Sequence, residues 1–317
     1  MKIPTYDDIR KAHQRIDSEV HRTPVLTSSN INAMTGCHLY FKCENFQKTG
    51  AFKFRGATNA VISMTETGAL EGVATHSSGN HAAALALAAK KRGIDCYIAM
   101  PHTAPKNKIA AVKSYGGKIT FCEPTLLSRE ETLVKIIRET GSAFVHPYDN
   151  FNVICGQGTA AKELLEDCPG LEALFVPVGG GGILSGSAIS AKAMQKGIRV
   201  YGCEPAGADD AYRSFQSRKI IPSVNPCTIA DGLLTSLSEM TFSIMMNQVD
   251  EIFTVSEKHI ITAMQLIWER MKIIVEPSAA VAFAVVMQNP DLVKGIKAGV
   301  MLTGGNADLF NLPFAKK

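Results

Sequence analysis

The stretch VATHSSGNHAAALALAAKKRGIDCYIAM, residues 73–100, decides the fold class. Its first residues, VATHSS at 73–78, form a strand-like run, and the stretch from Asn80 to Lys91 is rich in the strong helix formers Ala, Leu and Lys. The run CYIAM at 96–100 is typical of a short buried strand. A strand, a helix and a strand in this order predict two parallel strands joined by a helical crossover.

The same alternation continues along the chain. Further helices are predicted at Pro105–Tyr115, Arg129–Thr140 and Ile183–Gln195. The other runs typical of strands are KITFC (118–122), AFVHP (143–147), LFVPV (174–178), RVYGCEP (199–205) and AGVML (298–302). Alternating strands and helices predict an α/β fold, in which a parallel sheet is covered by helices on both faces.

The composition is that of an ordinary globular protein, since 46% of the 317 residues are hydrophobic and 20% are charged. The formal net charge of +4 is spread without basic blocks, so nothing indicates a nucleic-acid partner. The longest apolar run, Ala279 to Met287, is far shorter than the roughly 20 residues that cross a bilayer. We therefore expect no membrane segment and a small molecule as the ligand.

The cysteines and the amino terminus bear on the cellular compartment. The eight Cys are scattered, and the closest pair, Cys37 and Cys43, matches neither a zinc motif nor a disulfide framework. Residues 1–20 mix acidic and basic charges and have no apolar core, unlike a secretory signal or a transit peptide. These features predict reduced thiols and a cytoplasmic location.

Four consecutive glycines, Gly179 to Gly182, lie between the strand-like run at 174–178 and a predicted helix. Backbone N–H groups of such a loop can converge on an anion, and the positive end of the helix dipole adds to the attraction. The pattern matches neither the dinucleotide fingerprint nor a P-loop. It predicts a site for the phosphate of a small cofactor, with a flexible turn as the alternative.

Two further segments carry groups that could act on a substrate. In GAFKFRG (50–56), Lys53 lies between two aromatic residues; a desolvated lysine can form a Schiff base, although most lysines are solvated surface groups. In Ser77–His81, hydroxyls, an amide and free helix N–H groups could bind a carboxylate, or the segment could be an ordinary helix N-cap. The polar turn Thr303–Asn306 would by itself pass for a loop.

The loop EPAGADD, residues 204–210, is bent by glycine and proline and carries acidic side chains. Two carboxylates and a main-chain carbonyl folded together suit a hard cation that prefers oxygen ligands. From spacing alone, a solvated acidic loop is the alternative.

In their order and separations, these five motifs resemble those of the fold-type II pyridoxal-phosphate enzymes, whose fold is similar to the β-subunit of tryptophan synthase. The resemblance covers nearly the whole chain and is strongest to the serine racemase branch of the serine/threonine dehydratase family. The matching segments are HRTPVLTSS (21–29), FKCENFQKTGAFKFRGA (41–57), THSSGNHAAALALAAK (75–90), GQGTAAKELLE (156–166), VPVGGGG (176–182), EPAGADD (204–210), IADG (229–232), ERMKIIVEP (269–277) and TGGN (303–306).

The resemblance implies pyridoxal 5′-phosphate as the cofactor and a role for each site residue. Lys53 would bind the cofactor covalently, Phe52 would pack beside its pyridine ring, Asn80 would bond its 3′-oxygen, Thr303 would face the pyridine nitrogen, and Gly179, Gly180, Gly181 and Gly182 would cradle the phosphate. The substrate carboxylate would be bound by Ser77, Ser78, Asn80 and His81. Glu204, the Ala208 carbonyl and Asp210 would hold Mg²⁺, or Mn²⁺ or Ca²⁺ in its place.

The resemblance also implies two open, twisted, mostly parallel sheets with helices on both faces. A large domain would comprise residues 1–71 and 150–317, and a small domain, residues 72–149, would move over the active site. A homodimer is expected. Since the animal racemases bind ATP at a dimer interface, ATP is a candidate activator, with Ser28, Asn30 and Lys48 as candidate contacts.

The activity implied by the resemblance is interconversion of L- and D-serine, with dehydration of serine to pyruvate and ammonia. Racemisation needs an acid–base group on each side of the substrate, and we expect Lys53 to take the proton of L-serine and Ser78 to act on the D face.

Two other hypotheses remain open at this point. The first is a threonine or threo-3-hydroxyaspartate dehydratase, because Arg129 could bind a second carboxylate and Tyr148-Asp149 is similar to the bacterial threonine dehydratases. The second is a cofactor-binding protein without catalysis. Such a protein should have lost its reactive lysine, and Lys53 is present.

Overall fold

The computed structural model describes residues 1–67 and 71–314, in which strands of two open sheets alternate with helices. The strands are β1 Val25–Leu26, β2 His38–Cys43, β3 Val73–His76, β4 Cys96–Pro101, β5 Lys118–Cys122, β6 Ala143–Phe144, β7 Ala173–Pro177, β8 Arg199–Pro205, β9 Glu251–Val255 and β10 Lys297–Leu302. The helices are α1 Tyr6–Ile16, α2 Ser29–Thr35, α3 Lys53–Thr67, α4 Asn80–Arg92, α5 Lys106–Ser114, α6 Leu126–Thr140, α7 Phe151–Asp167, α8 Gly182–Met194, α9 Asp210–Ser217, α10 Glu239–Gln248, α11 Glu257–Leu266 and α12 Pro277–Gln288.

The two sheets are mainly parallel. The larger one has the strand order β1-β2-β10-β7-β8-β9, in which only the edge pair β1–β2 is antiparallel. The smaller one has the order β5-β4-β3-β6, with every pair parallel. The predicted α/β fold with two mostly parallel sheets is confirmed. The strands of the smaller sheet all lie within residues 73–144; the domain bounds stay a prediction, and residues 68–70 and 315–317 lie outside the described part of the chain.

Most elements begin and end within a few residues of the positions that the sequence predicts. Strands β5 and β8 have the predicted bounds. Helix α6 begins three residues early, at Leu126, because the side chain of Thr125 accepts the Ser128 N–H at 3.1 Å and so caps the helix. Strand β6 ends at Phe144 instead of residue 147. The run reaches Pro147, which has no N–H to extend the ladder.

Apolar elements fill the interior of the larger sheet. Every residue of β7 is buried, as expected for a strand with helices on both faces. The longest apolar run of the sequence forms helix α12, in which residues 278–286 are all buried. Within residues 1–67 and 71–314, no helix has the length and apolar character needed to cross a membrane.

Helix α3 lies between the two sheets. Its residues Phe54, Ala57 and Val61 belong to one buried cluster with Leu85 of α4 and Val153 of α7. Because α4 belongs to the small-sheet region and α7 leads into the larger sheet, α3 is packed against both parts of the molecule.

A buried ion network fixes the first turn of α3. The Arg55 guanidinium contacts the Glu44 carboxylate (Nε to Oε2, 2.7 Å) and the Glu163 carboxylate (Nη1 to Oε1, 2.7 Å). Lys42 Nζ contacts Glu163 Oε2 at 2.7 Å, and Thr23 Oγ1 donates to Glu44 Oε1 at 2.5 Å. All four charged side chains are buried. Two cations thus neutralise two anions and join β2, α3 and α7.

Replacing Arg55 with Leu should lower the free energy of unfolding by about 3–5 kcal/mol, because two buried carboxylates would share a single cation. Urea denaturation followed by circular dichroism measures the change. Lys135→Leu is the control, since it breaks an exposed pair with Glu139 on α6 and should leave the midpoint nearly unchanged. Equal midpoints for the two variants would contradict the role given to Arg55.

Candidate active site

The segment that carries Lys53 is held against the turn that follows β10. Phe52 N–H donates to the Thr303 carbonyl at 3.0 Å, and Ala51 forms an isolated antiparallel bridge with Gly304. A side chain at Gly304 would lie 2.6 Å from Glu276 Oε1, so only glycine fits there. The predicted lysine and the predicted polar turn therefore meet, although about 250 residues of chain separate them.

The Lys53 amine lies in a low-polarity environment. Its Nζ donates to the Pro147 carbonyl at 2.9 Å and lies 5.1 Å from the centre of the Phe52 ring. No carboxylate among the described residues pairs with it, and burial lowers its pKa to about 8. With this pKa about a tenth of the amine is uncharged at pH 7, far more than for an ordinary lysine with a pKa of about 10.4, and the uncharged form is the one that attacks a carbonyl.

The four glycines form a tightly packed loop between β7 and α8. A side chain at Gly180 would lie 2.3 Å from the Tyr148 ring, and one at Gly179 would lie 2.9 Å from Leu233 Cα. Gly181 has φ +88°, a conformation that other residues rarely adopt. All four are buried, so the flexible-turn alternative is wrong. The first N–H groups of α8 have no partner within the helix and can bind an anion.

The serine-rich loop lies at the carboxyl end of β3. Helix α4 starts at Asn80, and its N-cap is Gly79 with no side-chain cap, so the ordinary N-cap alternative is wrong. Ser77 N–H donates to the Ala99 carbonyl at 3.1 Å, and Ser77 Oγ accepts the Gly79 N–H at 3.3 Å. Ser78 is half-buried and has no described hydrogen bond of its own. The loop thus keeps a hydroxyl and the free N–H groups of α4 for a ligand.

The ring of His81 is engaged with the protein interior and does not point into the predicted carboxylate site as an exposed donor. The ring is buried, and its Nε2 lies 3.2 Å from the Val145 carbonyl. Burial, and secondarily the Lys53 cation, hold its pKa well below the ordinary value of 6.5. The imidazole is therefore neutral and donates from Nε2 to a protein carbonyl.

Several polar groups near the site were missed by the sequence analysis. The pKa values of His76 and His146 are lowered to about 4, mainly by burial and, for His76, also by the Arg129 cation. Glu276, in the quoted segment 269–277, accepts a hydrogen bond from Asn80 Nδ2 at 2.7 Å. A glutamate directly before a proline at a helix start is the only local signal that could have indicated Glu276.

The acidic loop contains unpaired buried oxygens. Glu204 accepts the N–H groups of Ala211 and Tyr212 at 2.9 and 2.8 Å, and burial raises its pKa to about 9. Asp210 is buried, and neither of its oxygens has a hydrogen-bond partner among the described residues. The Ala208 carbonyl belongs to the short helical turn between the two carboxylates. Orphaned carboxylate oxygens beside a second buried carboxylate fit a hard cation. The solvated-loop alternative is wrong, because both side chains are fully buried.

The predicted nucleotide contacts form no single described cluster. Ser28 Oγ caps α2 by accepting the Ile31 N–H at 3.4 Å, and Lys48 Nζ donates to the Glu19 carbonyl at 2.7 Å. Asn30 is exposed. ATP binding stays a prediction that these contacts do not test.

The chain is similar to known proteins over nearly its whole length. Residues 16–304 match the family model described as "Pyridoxal-phosphate dependent enzyme". A beta-hydroxyaspartate dehydratase of Paracoccus denitrificans is 51% identical over 314 residues, which cover 99% of this chain and 100% of that protein. A serine racemase of Dictyostelium discoideum is 47% identical over 316 residues, 98% of each chain. The crystal structure of serine racemase from the same organism has a TM-score of 0.92 at 48% identity, covering 96% of this chain and 99% of that one.

The fold is that of a fold-type II α/β enzyme, and it contains a lysine amine with a lowered pKa and a closely packed polyglycine loop before a helix. The chain belongs to the family of pyridoxal-phosphate dependent enzymes. The residues present fit this cofactor on two observations: side chains are sterically excluded from the glycine loop, and the half-buried Lys53 has no paired carboxylate among the described residues.

The lowered pKa of Lys53 has a direct consequence for its reactivity. In protein freed of cofactor, acylation of Lys53 by acetic anhydride should rise with pH with a midpoint near 8, because only the uncharged amine reacts. Competitive labelling with mass spectrometry measures this, with exposed Lys258 on α11 as the internal standard for reagent consumption. A midpoint near the ordinary lysine value of about 10.4 would mean that the amine is not desolvated.

Proposed function

We propose that this protein is a pyridoxal-phosphate dependent serine racemase, which interconverts L- and D-serine and also dehydrates serine to pyruvate and ammonia. The observation that carries the proposal is the combination of the buried Lys53 amine with the Ser77–Asn80 loop at the end of β3. Similarity to the Dictyostelium serine racemase over 98% of the chain, at 47% identity, supports the choice of substrate.

The proposed cofactor contacts come from both sheets. Gly179, Gly180, Gly181 and Gly182 hold the phosphate through their backbone N–H groups. Lys53 binds the aldehyde carbon, Phe52 packs beside the ring, Thr303 bonds the ring nitrogen, and Asn80 bonds the ring hydroxyl. When bound, the cofactor withdraws electrons from the substrate and so makes its α-proton acidic.

The proposed substrate site uses the N-terminus of α4. The carboxylate is bound by Ser77, Ser78 and Asn80 and by the backbone N–H of His81, since the ring of His81 is engaged with Val145. A helix N-terminus favours an anion there. Lys53 then takes or returns the α-proton on one face, and Ser78 does so on the other.

The smaller sheet and its helices, residues 72–149, form a small domain that closes over the site, and residues 1–71 with 150–317 form the large domain. An ion pair between Lys108 of α5 and Asp231 joins the two parts next to the serine loop and supports this division. We further propose a homodimer located in the cytoplasm, with ATP as an activator that contacts Ser28, Asn30 and Lys48.

A divalent cation, Mg²⁺ or in its place Mn²⁺ or Ca²⁺, is proposed at Glu204, the Ala208 carbonyl and Asp210. The unpaired, buried oxygens of Asp210 support it. Such an ion would neutralise two buried carboxylates that lack a paired cation, and would thereby stabilise the loop that leads into α9.

The second candidate function is dehydration of threo-3-hydroxyaspartate or threonine. Two observations favour hydroxyaspartate: the Arg129 cation is close enough to His76 to lower its pKa, and the Paracoccus relative is a beta-hydroxyaspartate dehydratase. Arg129 would bind the second carboxylate of such a substrate. For threonine, the argument from the sequence is the Tyr148-Asp149 pair.

Turnover of purified protein with L-serine, D-serine, L-threonine and threo-3-hydroxyaspartate ranks these candidates. We expect the wild type to form D-serine and pyruvate from L-serine. Chiral chromatography measures the D-serine, and a keto-acid assay measures the pyruvate.

In the same assays the Ser78→Ala variant should lose racemisation by about 10²- to 10⁴-fold relative to dehydration of L-serine. The reason is that the D face then has no acid–base group, while Lys53 still takes the L-face proton.

The matched control is Ser77→Ala, which removes a carboxylate contact and should weaken both reactions of L-serine alike. Racemisation by Ser78→Ala at the wild-type rate would show that another group serves the D face. Keto acid formed only from hydroxyaspartate would contradict the racemase proposal and support the hydroxyaspartate dehydratase.

Removing divalent cations should lower the melting temperature, because an ion bound only by the folded loop stabilises the folded state. Thermal unfolding before and after exhaustive EDTA treatment, with Mg²⁺ added back, measures the effect. Asp210→Asn should lose the response to Mg²⁺, whereas Asp209→Asn, which alters the neighbouring carboxylate paired with Arg213, should keep it. A melting temperature indifferent to EDTA and Mg²⁺ would rule out the site.

A further inference from the structure

The side-chain amide of Asn80 is held from two sides. Asn306 Nδ2 donates to Asn80 Oδ1 at 2.9 Å, and Asn80 Nδ2 donates to Glu276 Oε1 at 2.7 Å. Asn80 begins α4 in the small-sheet region. Glu276 lies directly before α12, and Asn306 follows β10 of the larger sheet. The orientation of this one amide thus depends on both parts of the molecule.

The direction of these hydrogen bonds is determined by the groups at the two ends. Asn306 Nδ2 also donates to the Thr49 carbonyl at 2.9 Å, and a carbonyl can only accept. The NH₂ group of Asn306 must therefore face Thr49, and the oxygen of Asn80 must face Asn306. The Asn80 nitrogen is then left to face Glu276; burial raises the pKa of this carboxyl to about 7, and above that pH its ionised form only accepts. Both ends demand the same orientation.

This arrangement leaves one N–H of Asn80 without a described partner. An amide nitrogen has two hydrogens, and Glu276 takes one of them. Asn306 occupies one of the two lone pairs of Oδ1. The remaining N–H of Asn80 is a donor, which is what an oxygen on a cofactor ring requires.

Glu276 is itself rigidly placed. It is buried, lies directly before α12, and its N–H donates to the Gly304 carbonyl at 3.0 Å. Its Oε1 packs so closely on Gly304 that a side chain there would lie 2.6 Å away. Lys108, in the ion pair with Asp231, supplies a positive charge nearby. The carboxylate thus has little freedom to follow a rotating amide.

We propose that Glu276 is a positioning residue, which acts through Asn80 by holding its amide so that a donor, and never the carbonyl oxygen, faces the bound cofactor. The inference rests on the proposed contact between Asn80 and the cofactor. It adds a residue that does not itself touch the cofactor. Loss of the carboxylate leaves Asn306 alone to orient the amide and so weakens the preference for this orientation; a turned amide would set its oxygen against the oxygen of the ring.

A double-mutant cycle on cofactor affinity tests this. The variants are Glu276→Gln, which keeps the shape and an acceptor but loses the charge and the fixed direction, Asn80→Ala, and the two combined. The readouts are the dissociation constant of pyridoxal phosphate and the visible absorption spectrum of the bound cofactor. Glu251→Gln, an exposed carboxylate on β9, is the matched control and should behave like the wild type.

We expect Glu276→Gln to weaken cofactor binding by about tenfold and to shift the absorption spectrum, since a charge-assisted hydrogen bond is lost. In the Asn80→Ala background the same substitution should change the dissociation constant by less than about twofold. The Glu276→Leu variant, which leaves no acceptor, should bind the cofactor at least as weakly as the Glu276→Gln variant. Circular dichroism and melting temperature verify that each variant is folded.

An equal loss in both backgrounds would overturn the inference, because Glu276 would then act on the fold and not through Asn80. Wild-type affinity of Asn80→Ala would overturn it as well, while leaving the proposed racemase intact as long as the wild type binds the cofactor and converts serine. Failure of the wild type to bind pyridoxal phosphate would instead remove the proposed function itself.

Discussion

The position of the Lys53 amine depends on a buried ion network two residues further along the chain. Arg55 is bound by Glu44 and Glu163 in a region without solvent. A shift of α3 would separate these charges in apolar surroundings, which costs several kcal/mol. The main chain of Phe52 is bonded to Thr303 on the other side. The reactive amine is therefore held from two directions by groups that take no part in the chemistry.

Close packing and low polarity then shape the rest of the site. Tyr148, which follows the last strand of the smaller sheet, packs on Gly180, so the phosphate loop and the small-sheet region are in direct contact. Burial lowers the pKa of Lys53 to about 8 and that of His146 to about 4, so near neutral pH His146 is uncharged and Lys53 loses its proton far more readily than an ordinary lysine. The groups here that can bind an anion include the free N–H groups at the starts of α4 and α8.

Much of the fold could be predicted, because strands and helices leave local patterns. The strand at 118–122 and the strand at 199–205 have the bounds that apolar runs and glycines predict. Strands β2 and β9 were not predicted, since their short runs carry no alternation that separates them from loops. The division of the strands between two sheets came from resemblance alone, because a local pattern does not state which strands pair.

For the site, the sequence by itself indicated a phosphate-binding loop at Gly179–Gly182, because four glycines before a helix are a local signal. The role of Lys53 and the cofactor came from the resemblance to a known family, and the lowered pKa of Lys53 comes from its burial in the folded structure. Only the tertiary structure decided which groups surround them. Glu276 lies 196 residues from Asn80, and Asn306 lies 226 residues from it. Whether such residues meet depends on how the two sheets pack, and that packing is set by the whole buried surface and not by any local pattern.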